Sequence, residues 1–398
     1  MGEVWQGITN PRGLFPGQDR ITLLLLGQDY NRDRKGIAYT KNSRADTIML
    51  MSVDLENKAI SAVSIPRDTF IEGADGKRGK INATFARGGV ELIKATIEKQ
   101  FALTIDNYLV VKPDAVREIV DAVGGIQVET IDKMKYDDSW GDLHVDLPKG
   151  PQHINGEQAV GFVRFREVNR YRMTESGRMV PIRGVEPSME EGDIRRTARQ
   201  QQFVQALIAA ANTPGNLWKA DKIVDIGFGQ VETNLRRTQV LALATIFKGS
   251  GTGNMKSATL PGDDDSSGEA YYYRLDEPRA RAMVDWLIKH DGASYRSLTR
   301  VVVKNGSGKP GAARIAAEWL DDGGFQASSG GNAKAPVEAT TIQFRVAAFE
   351  DAAKLVAKRL GVANVSKMTD VDPRETWKPE IEVVIGKDIV DSVLGQSP

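Results

Sequence analysis

The chain has 398 residues, with 53 basic and 53 acidic side chains, three histidines and no cysteine. Zero net charge argues against a nucleic-acid binder, whose affinity comes mostly from a basic surface. The absence of cysteine excludes disulfides and thiolate metal sites, and three histidines argue against a histidine-rich zinc site. No stretch reaches the roughly 20 apolar residues that span a bilayer. The length suits one large domain with a smaller one, or two to three medium domains.

The first part of the chain alternates between short apolar runs and segments with helical spacing. Such alternation is typical of an α/β layered domain. Apolar runs predict strands at 20–27, 47–53, 59–65, 107–111 and 127–130, with a tight turn at 54–58. Helical spacing predicts helices at 90–100, 113–123, 156–166, 193–211 and 235–247.

The last part of the chain predicts a second, smaller α/β unit. Before it, 256–260 and 271–275 are expected to be paired strands, with 262–268 as their turn. A domain boundary is expected at 292–300. Beyond the boundary, the pattern predicts strands at 300–303, 340–344 and 381–385, helices at 312–320 and 349–360, and a polar loop at 328–336.

Charged residues stand at the ends of three of the predicted strands. Asp29 ends the first, Arg44 and Asp46 open the second, and Arg67 follows the third. Mg²⁺ is usually held by one or two carboxylates together with substrate phosphate oxygens, and guanidinium groups bind phosphate. These residue types therefore indicate a metal and phosphate site. The alternative is that each carboxylate only completes a turn.

Two further groups of arginines follow later in the chain. In a strand, Arg164 and Arg166 would point to one face, where a polyanion would relieve their repulsion; an exposed strand edge is the alternative. Asp193 is expected to cap a helix whose first turns carry Arg196, Arg199 and Gln200 on one face. A phosphate at that helix end would compensate the cations there. The alternative is that these arginines pair with nearby acidic side chains on a solvated face.

These elements occur in a recognisable order over about residues 20 to 210. They are LGQD (26–29), RADT (44–47), SIPRDT (64–69), KIN (80–82), VRFR (163–166) and DxxRxxRQ (193–200). Together they resemble the successive motifs of the LytR-CpsA-Psr family. The segment from about 300 to 389, headed by VVVKNGSGKPG, resembles the C-terminal domain found on some members.

The resemblance implies an α-β-α layered catalytic domain around a mixed central sheet, at 20–292, and a small C-terminal α/β domain at 298–390. Residues 1–19 are then expected to follow a removed membrane anchor. The implied protein is a membrane-anchored enzyme on the extracytoplasmic face of the bacterial cell membrane. It would transfer a glycopolymer from a polyprenyl-pyrophosphate carrier onto peptidoglycan, at the C6 hydroxyl of N-acetylmuramic acid. Which glycopolymer is carried stays open.

The resemblance also assigns residues and a cofactor. Mg²⁺, with Mn²⁺ as an alternative, is expected at Asp29 and Asp46. The prenyl chain is expected in an apolar tunnel between sheet and helices, lined by 90–101 and 203–211. The implied catalytic residues are Asp29, Asp46, Arg67, Arg164 and Arg166. The implied pyrophosphate-binding residues are Arg44, Arg67, Lys80, Asn82, Arg164, Arg166, Arg196, Arg199 and Gln200.

Two other functions fit the same residues. One is a phosphohydrolase that uses water as the acceptor, and the other is a non-catalytic, regulatory binder of envelope polymers or prenyl phosphate.

The chain also departs from the family pattern at a polar insertion, 30–43, and at an arginine-rich loop, 167–192. We expect that loop to cover the site or to contact an anionic acceptor.

Overall fold

The computed structural model divides the chain into two compact units. The first comprises Met1–Met255 with Gly262–Leu275, and the second comprises Lys256–Pro261 with Asp276–Pro398. The sequence had placed the boundary later, at 292–300. The residues described are 11–33, 35, 37–131, 133–138, 143–165, 171–173, 179–181, 189–211, 213–217, 225, 228, 231–250, 255–265, 271–291, 296, 298–346, 349–369 and 379–395.

A mixed sheet forms the centre of the first unit, as predicted. Arg20–Gln28 lies in the middle, antiparallel to Ala45–Asp54 and parallel to Asn107–Val111. Ala59–Ser64 pairs with Ala45–Asp54, and Val231–Thr233 pairs with Asn107–Val111, both antiparallel. The turn between Asp54 and Ala59 is the tight connection that the sequence predicts.

Helices cover both faces of this sheet, because alternate residues of its strands are apolar on each side. Ile21 and Leu23 belong to a core shared with Ile208 and Ile246 from two helices on one face. The helix Ile81–Phe101 packs against Ala45–Asp54, which lies in the same sheet. The helices of the first unit are Ile81–Phe101, Pro113–Ala122, Gly156–Arg164, Met189–Ala211, Pro214–Leu217 and Arg237–Ser250, after a 3-10 turn at Pro11–Leu14.

Smaller strand pairs surround the central sheet. Ile126–Thr130 pairs with Gly150–Ile154 and contributes to a second core with the helix Gly156–Arg164. The remaining antiparallel pairs are Asn31–Arg32 with Ala38–Tyr39, Phe70–Glu72 with Arg78–Lys80, Met134–Asp138 with Leu143–Leu147, Tyr171–Met173 with Met179–Pro181, and Gly262–Asp265 with Tyr272–Leu275.

Local sequence signals fix several helix ends. Pro113 occupies the first turn of its helix, where a missing N–H is harmless. After this helix, Gly124 and Gly125 adopt positive φ angles of 82° and 91°, which explains the predicted stop. Asn155 and Gln158 form a reciprocal capping box at the start of Gly156–Arg164.

Three local predictions were wrong. Asp193 does not cap its helix, which begins four residues earlier at Met189, because 189–192 continue the helical backbone. Arg164 ends a helix and is not in a strand, so the alternation argument for Arg164 and Arg166 fails. The segment 262–265, expected as a turn, is itself the strand that pairs with Tyr272–Leu275; its acidic side chains gave no apolar signal.

The second unit has its own five-stranded sheet. Arg300–Asn305 lies parallel to both Gln326–Asn332 and Ile381–Ile385, and Thr341–Phe344 joins Ile381–Ile385 to Val365–Lys367. The predicted loop at 328–336 was wrong, since an exposed edge strand occupies much of it. The helices of the second unit are Glu277–Leu287, Ala312–Asp322, Glu350–Leu360 and Val390–Leu394, and Met255–Thr259 is a further strand outside its five-stranded sheet.

None of the helices among the described residues combines the length and the apolar character that crossing a bilayer demands.

Candidate active site

A cavity of about 630 Å³ lies in the first unit, between the central sheet and its helices. Its volume falls within the range of roughly 300–1,000 Å³ that is usual for ligand pockets. Its wall is mostly apolar, with Leu23, Leu25 and Met51 from the sheet and Val116 and Ile119 from the helix Pro113–Ala122. The helix Met189–Ala211 completes the wall with Phe203, Val204, Leu207, Ile208 and Ala211.

The predicted lining by 203–211 agrees with this cavity, whereas the predicted lining by 90–101 was wrong. No residue of 90–101 lines the cavity. Ile93, Ile97 and Phe101 are instead buried in the protein core. The sequence did not distinguish the two, since a buried core helix and a cavity-lining helix show the same apolar spacing.

Several polar side chains line this same cavity, among them Asp29, Asp46, Arg164, Arg196 and Gln200, which are called here the polar rim. Asp29 follows Arg20–Gln28, and Asp46 lies near the start of the antiparallel neighbour Ala45–Asp54. The register of this strand pair therefore brings both carboxylates to the same end of the sheet. The fold has thus assembled residues that are far apart in the sequence.

Ion pairs connect the carboxylates of the polar rim to arginines. The guanidinium of Arg164 lies 3.2 Å from Asp29, and that of Arg67 lies 2.8 Å from Asp46. Arg196, only 3% exposed, approaches Asp46 to 4.0 Å. A buried cation is costly unless anions accompany it. This arrangement can therefore hold an anionic group together with the two carboxylates.

A second row of charges lies behind Asp46, away from the cavity wall. Arg67 also contacts Asp68 at 3.2 Å, and Asp68 contacts Lys80 at 2.7 Å. Arg67, Asp68 and Lys80 do not line the cavity. Asn82 is buried beside them, and its backbone N–H donates to the carbonyl of Arg67 at 3.2 Å. The KIN motif therefore adjoins Arg67, not the apolar wall.

The remaining predicted residues lie in other positions. Arg199 donates to the carbonyls of Phe162 and Phe165, at the end of the helix Gly156–Arg164, where a cation complements the helix dipole. Arg44 is exposed and does not line the cavity. Arg166 and most of the loop 167–192 lie outside the described residues, so their predicted roles stay predictions.

The donor set of the polar rim fits a metal ion that is also bound by substrate. Among the residues that the structure describes, no group of three or more His, Cys, Asp and Glu side chains could hold a metal. Asp29 and Asp46 nonetheless supply two carboxylates to one cavity, and Mg²⁺ often takes only that number from the protein and completes its shell with phosphate oxygens and water.

Sequence reasoning missed Tyr30 and Asp114, which contact each other beside the polar rim. The Tyr30 hydroxyl donates a 2.6 Å hydrogen bond to Asp114, in the first turn of Pro113–Ala122. Burial, reinforced by this carboxylate, raises the pKa of Tyr30 to about 12. The backbone N–H of Tyr30 also donates to Asp29 at 2.8 Å. Tyr30 follows Asp29 directly in the sequence, and this adjacency was the one signal from which its place near the polar rim could have been predicted.

Relatives of known name cover most of the chain. The polyisoprenyl-teichoic acid–peptidoglycan teichoic acid transferase TagV of Bacillus subtilis (strain 168) is 29% identical over 281 residues, which are 68% of this chain and 64% of TagV. The chain thus spans less than two thirds of TagV. The transferase TagU of Bacillus cereus (strain ATCC 14579) is 29% identical over 272 residues, covering 68% of this chain and 78% of TagU.

Solved structures share the fold of the first unit. The crystal structure of B. subtilis TagV gives a TM-score of 0.55 at 27% identity and covers 68% of this chain and 98% of that chain. The structure of TagT bound to LI-WTA gives a TM-score of 0.51 and covers 69% of this chain and 91% of that chain. Because the sequence identity is only 22%, this likeness shows the fold alone.

The family assignment rests on two matched regions. Residues 298–388 match the domain described as LytR cell envelope-related transcriptional attenuator. Residues 10–181 and 182–289, more than half of the chain, match the LytR_cpsA_psr family. The chain therefore belongs to the LytR-CpsA-Psr family, as its motifs predicted.

Proposed function

We propose that this protein transfers a glycopolymer from a polyprenyl-pyrophosphate carrier to a hydroxyl group of peptidoglycan. The observation that carries the proposal is the joining of one apolar cavity to the polar rim. A prenyl chain matches the apolar wall, and its pyrophosphate matches the arginines. The names of TagV and TagU describe transfer from a polyisoprenyl carrier to peptidoglycan, which agrees with this proposal.

In the proposed reaction, the acceptor oxygen attacks the phosphorus that carries the sugar. A new P–O bond to peptidoglycan forms, the phosphoanhydride P–O bond breaks, and prenyl phosphate leaves with the electron pair. Negative charge grows on the leaving phosphate, where Arg164 and Arg196 of the polar rim and the neighbouring Arg67 would stabilise it. Positioning both substrates supplies much of the remaining rate enhancement.

Asp29 and Asp46 are the candidate metal ligands and also the candidate proton acceptors. A bound Mg²⁺ would neutralise charge on the phosphate oxygens. A carboxylate that holds the metal tightly is a poor base, so only one of the two is expected to receive the proton of the attacking hydroxyl. The ion pair of Asp46 with Arg67 keeps this carboxylate oriented, since the contact is 2.8 Å long.

The proposal places the protein on the extracytoplasmic face of the bacterial cell membrane, where its carrier and acceptor are both found. Teichoic acid is the glycopolymer in the names of the relatives, and it is the first donor to test.

The test supplies a polyprenyl-pyrophosphate glycan, Mg²⁺ and peptidoglycan fragments and then analyses the products. Transfer yields glycan linked covalently to peptidoglycan together with prenyl phosphate. Free sugar phosphate without linked product would make the protein a hydrolase. Binding of the donor without turnover would make it a non-catalytic binder. Either of these results overturns the proposed transfer.

A further inference from the structure

We propose that the hairpin formed by Gly262–Asp265 and Tyr272–Leu275, called here the tyrosine hairpin, is a binding surface for the neutral glycan of the acceptor. This inference rests on the proposed function, because it assigns the surface by which the second substrate approaches. The hairpin belongs to the first unit but returns to it from far along the chain. Its sequence, YYYRL at 271–275, carries three consecutive tyrosines and an arginine.

One buried tyrosine anchors this hairpin beside the charged residues. Tyr273 is 2% exposed, and its backbone N–H donates to the carbonyl of Asp68 at 3.0 Å. An isolated bridge also pairs Tyr273 with Thr69, in the SIPRDT motif. Since successive side chains of a strand point to opposite faces, burial of Tyr273 turns its neighbours Tyr272 and Arg274 outward. The anchor thus fixes the hairpin to the motif that carries Arg67.

The half-buried rings of Phe70, Tyr271 and Tyr272 form an aromatic surface with mixed charges. The rings of Phe70 and Tyr272 meet edge to face, with centroids 5.0 Å apart, and the Arg274 guanidinium lies 4.0 Å from the Phe70 centroid. Lys80 lies 5.5 Å from the ring of Tyr271 and 5.8 Å from that of Tyr272. Arg274 also contacts Asp265 at 2.8 Å.

Ion pairs connect this surface to the polar rim. Asp46 contacts Arg67, Arg67 contacts Asp68, and Asp68 contacts Lys80, at 2.8, 3.2 and 2.7 Å. Only Asp46 of these four lines the cavity. The attacking hydroxyl must approach opposite the leaving prenyl phosphate. With the prenyl chain in the cavity, that side faces out of the cavity, toward Asp68 and Lys80. The tyrosine hairpin lies on that side, so a glycan bound there would present its hydroxyl to the reacting phosphorus.

The chemistry of the surface favours a sugar chain over a polyanion. Sugar rings stack their C–H faces on aromatic rings, while their hydroxyls bond to charged side chains at the edges. Arg274 and Lys80 each lie beside a carboxylate, that of Asp265 and that of Asp68, so neither sign of charge dominates. Tyrosine suits such a surface, because its ring is apolar and its hydroxyl is polar.

The test measures binding of a soluble, uncross-linked peptidoglycan glycan fragment by calorimetry, with and without substitution. We expect Tyr272→Ala to weaken binding by about tenfold and Tyr272→Phe by no more than about twofold, because phenylalanine keeps the ring face. Tyr39→Ala removes an exposed tyrosine that is remote from the hairpin in the sequence, and it should leave binding unchanged. Because Tyr272 packs on Phe70, the melting temperature of each variant is also measured, to show that the variant is folded. The exposed Arg274→Ala is a second probe, with an expected loss of about fivefold.

Equal binding by the wild type, Tyr272→Ala and Arg274→Ala would overturn the inference, as would absence of binding by the wild type. Consumption of the polyprenyl-pyrophosphate donor is measured separately. Tyr272→Ala should bind the donor as the wild type does, while its KM for the glycan acceptor rises. If the wild type binds glycan through Tyr272 but never consumes donor, the proposed transfer fails and the glycan surface stands.

Discussion

Arg67 places its guanidinium 2.8 Å from the carboxylate of Asp46, although 21 residues separate them in the sequence. Asp46 lies near the start of Ala45–Asp54, and Arg67 follows Ala59–Ser64, the strand that pairs with it. The tight turn after Asp54 thus determines which arginine meets which carboxylate. The sheet register therefore holds together a guanidinium, proposed to bind phosphate, and a carboxylate, proposed to bind metal or accept a proton.

Replacement of Arg67 by alanine is expected to lower the turnover of the polyprenyl-pyrophosphate donor by about a hundredfold, the usual scale for loss of one transition-state charge stabiliser. Steady-state rates of prenyl phosphate release measure the effect. Arg67→Lys should restore part of the rate, because it keeps the charge but not the fork of donors. Arg314→Ala, an exposed arginine of the second unit, is the matched control. Wild-type turnover in Arg67→Ala would remove Arg67 from the pyrophosphate site.

Removal of divalent cations by a chelator is expected to stop turnover, and Mg²⁺, or Mn²⁺ as an alternative, should restore it. Asp46→Asn should raise the Mg²⁺ concentration for half-maximal activity by about tenfold or more, since a neutral amide binds this hard cation less well. Magnesium titrations of wild type and variant provide the measurement. Full activity after chelation would contradict a metal role for both Asp29 and Asp46.

Filling the cavity should discriminate between donors by the length of their prenyl chain. Leu207 lines the cavity from the helix Met189–Ala211, so Leu207→Trp reduces the space for the chain. We expect KM for long-chain donors to rise by about tenfold and KM for short-chain analogues to change little. Leu207→Met conserves volume and serves as the control. An equal loss for long and short donors would show that the cavity does not hold the prenyl chain.

Tyr30→Phe is expected to remove one tyrosine that ionises at unusually high pH. Burial and the Asp114 carboxylate raise the pKa of Tyr30 to about 12 from 10.0, so the hydroxyl remains a donor throughout the neutral range. The ultraviolet absorbance of phenolate, followed during alkaline titration, detects the difference. Loss of the hydrogen bond should also destabilise the fold by about 1 kcal/mol. An unchanged titration curve would contradict the Tyr30–Asp114 contact.

The stability of the first unit should fall below pH 4 partly through Asp54. Burial would raise the pKa of Asp54, but hydrogen bonds from Asn57 and Arg20 outweigh it and lower the pKa from 3.8 to about 2. Because the pKa is lower in the folded state, the ionised carboxylate stabilises the fold above pH 3.8, and this contribution is lost as the pH falls toward 2.

Asp54→Asn should therefore lower the free energy of unfolding by roughly 1–3 kcal/mol at pH 7. The difference in the free energy of unfolding between Asp54→Asn and the wild type should become smaller between pH 4 and pH 2. Urea unfolding at several pH values measures it, with Asp391→Asn, an exposed residue of the second unit, as control. A difference that stays constant with pH would contradict the assigned hydrogen bonds.

Signals that act over a few residues predicted much of the fold. The apolar run at 20–27 and the proline and glycines around Pro113–Ala122 determine local backbone geometry, so their elements were predicted closely. The start of Met189–Ala211 and the strand Gly262–Asp265 were missed, because polar side chains there gave no periodic apolar pattern. Pairing with Tyr272–Leu275, not local preference, holds the strand Gly262–Asp265.

For the candidate site, motif order named Asp29 and Asp46 and the arginines that contact them, but it did not predict which arginine pairs with which carboxylate. Asp29, Asp46, Arg164, Arg196 and Gln200 line one cavity, as expected of a common site. The contact between Tyr30 and Asp114 depends on how the helix Pro113–Ala122 packs against the central sheet, and no spacing in the sequence encodes that distance. Arg199 shares a helix face with Arg196, yet its guanidinium points to the end of another helix.

The path of the chain between its two units limits how the protein can be divided. The backbone leaves the first unit after Met255, returns at Gly262 and leaves again after Leu275. A fragment that stops at residue 255 would lose Tyr273 and with it the hydrogen bond to the carbonyl of Asp68. Any truncated version intended to keep the catalytic part must therefore extend through Leu275, and exchange of the C-terminal part between relatives has to begin after that residue.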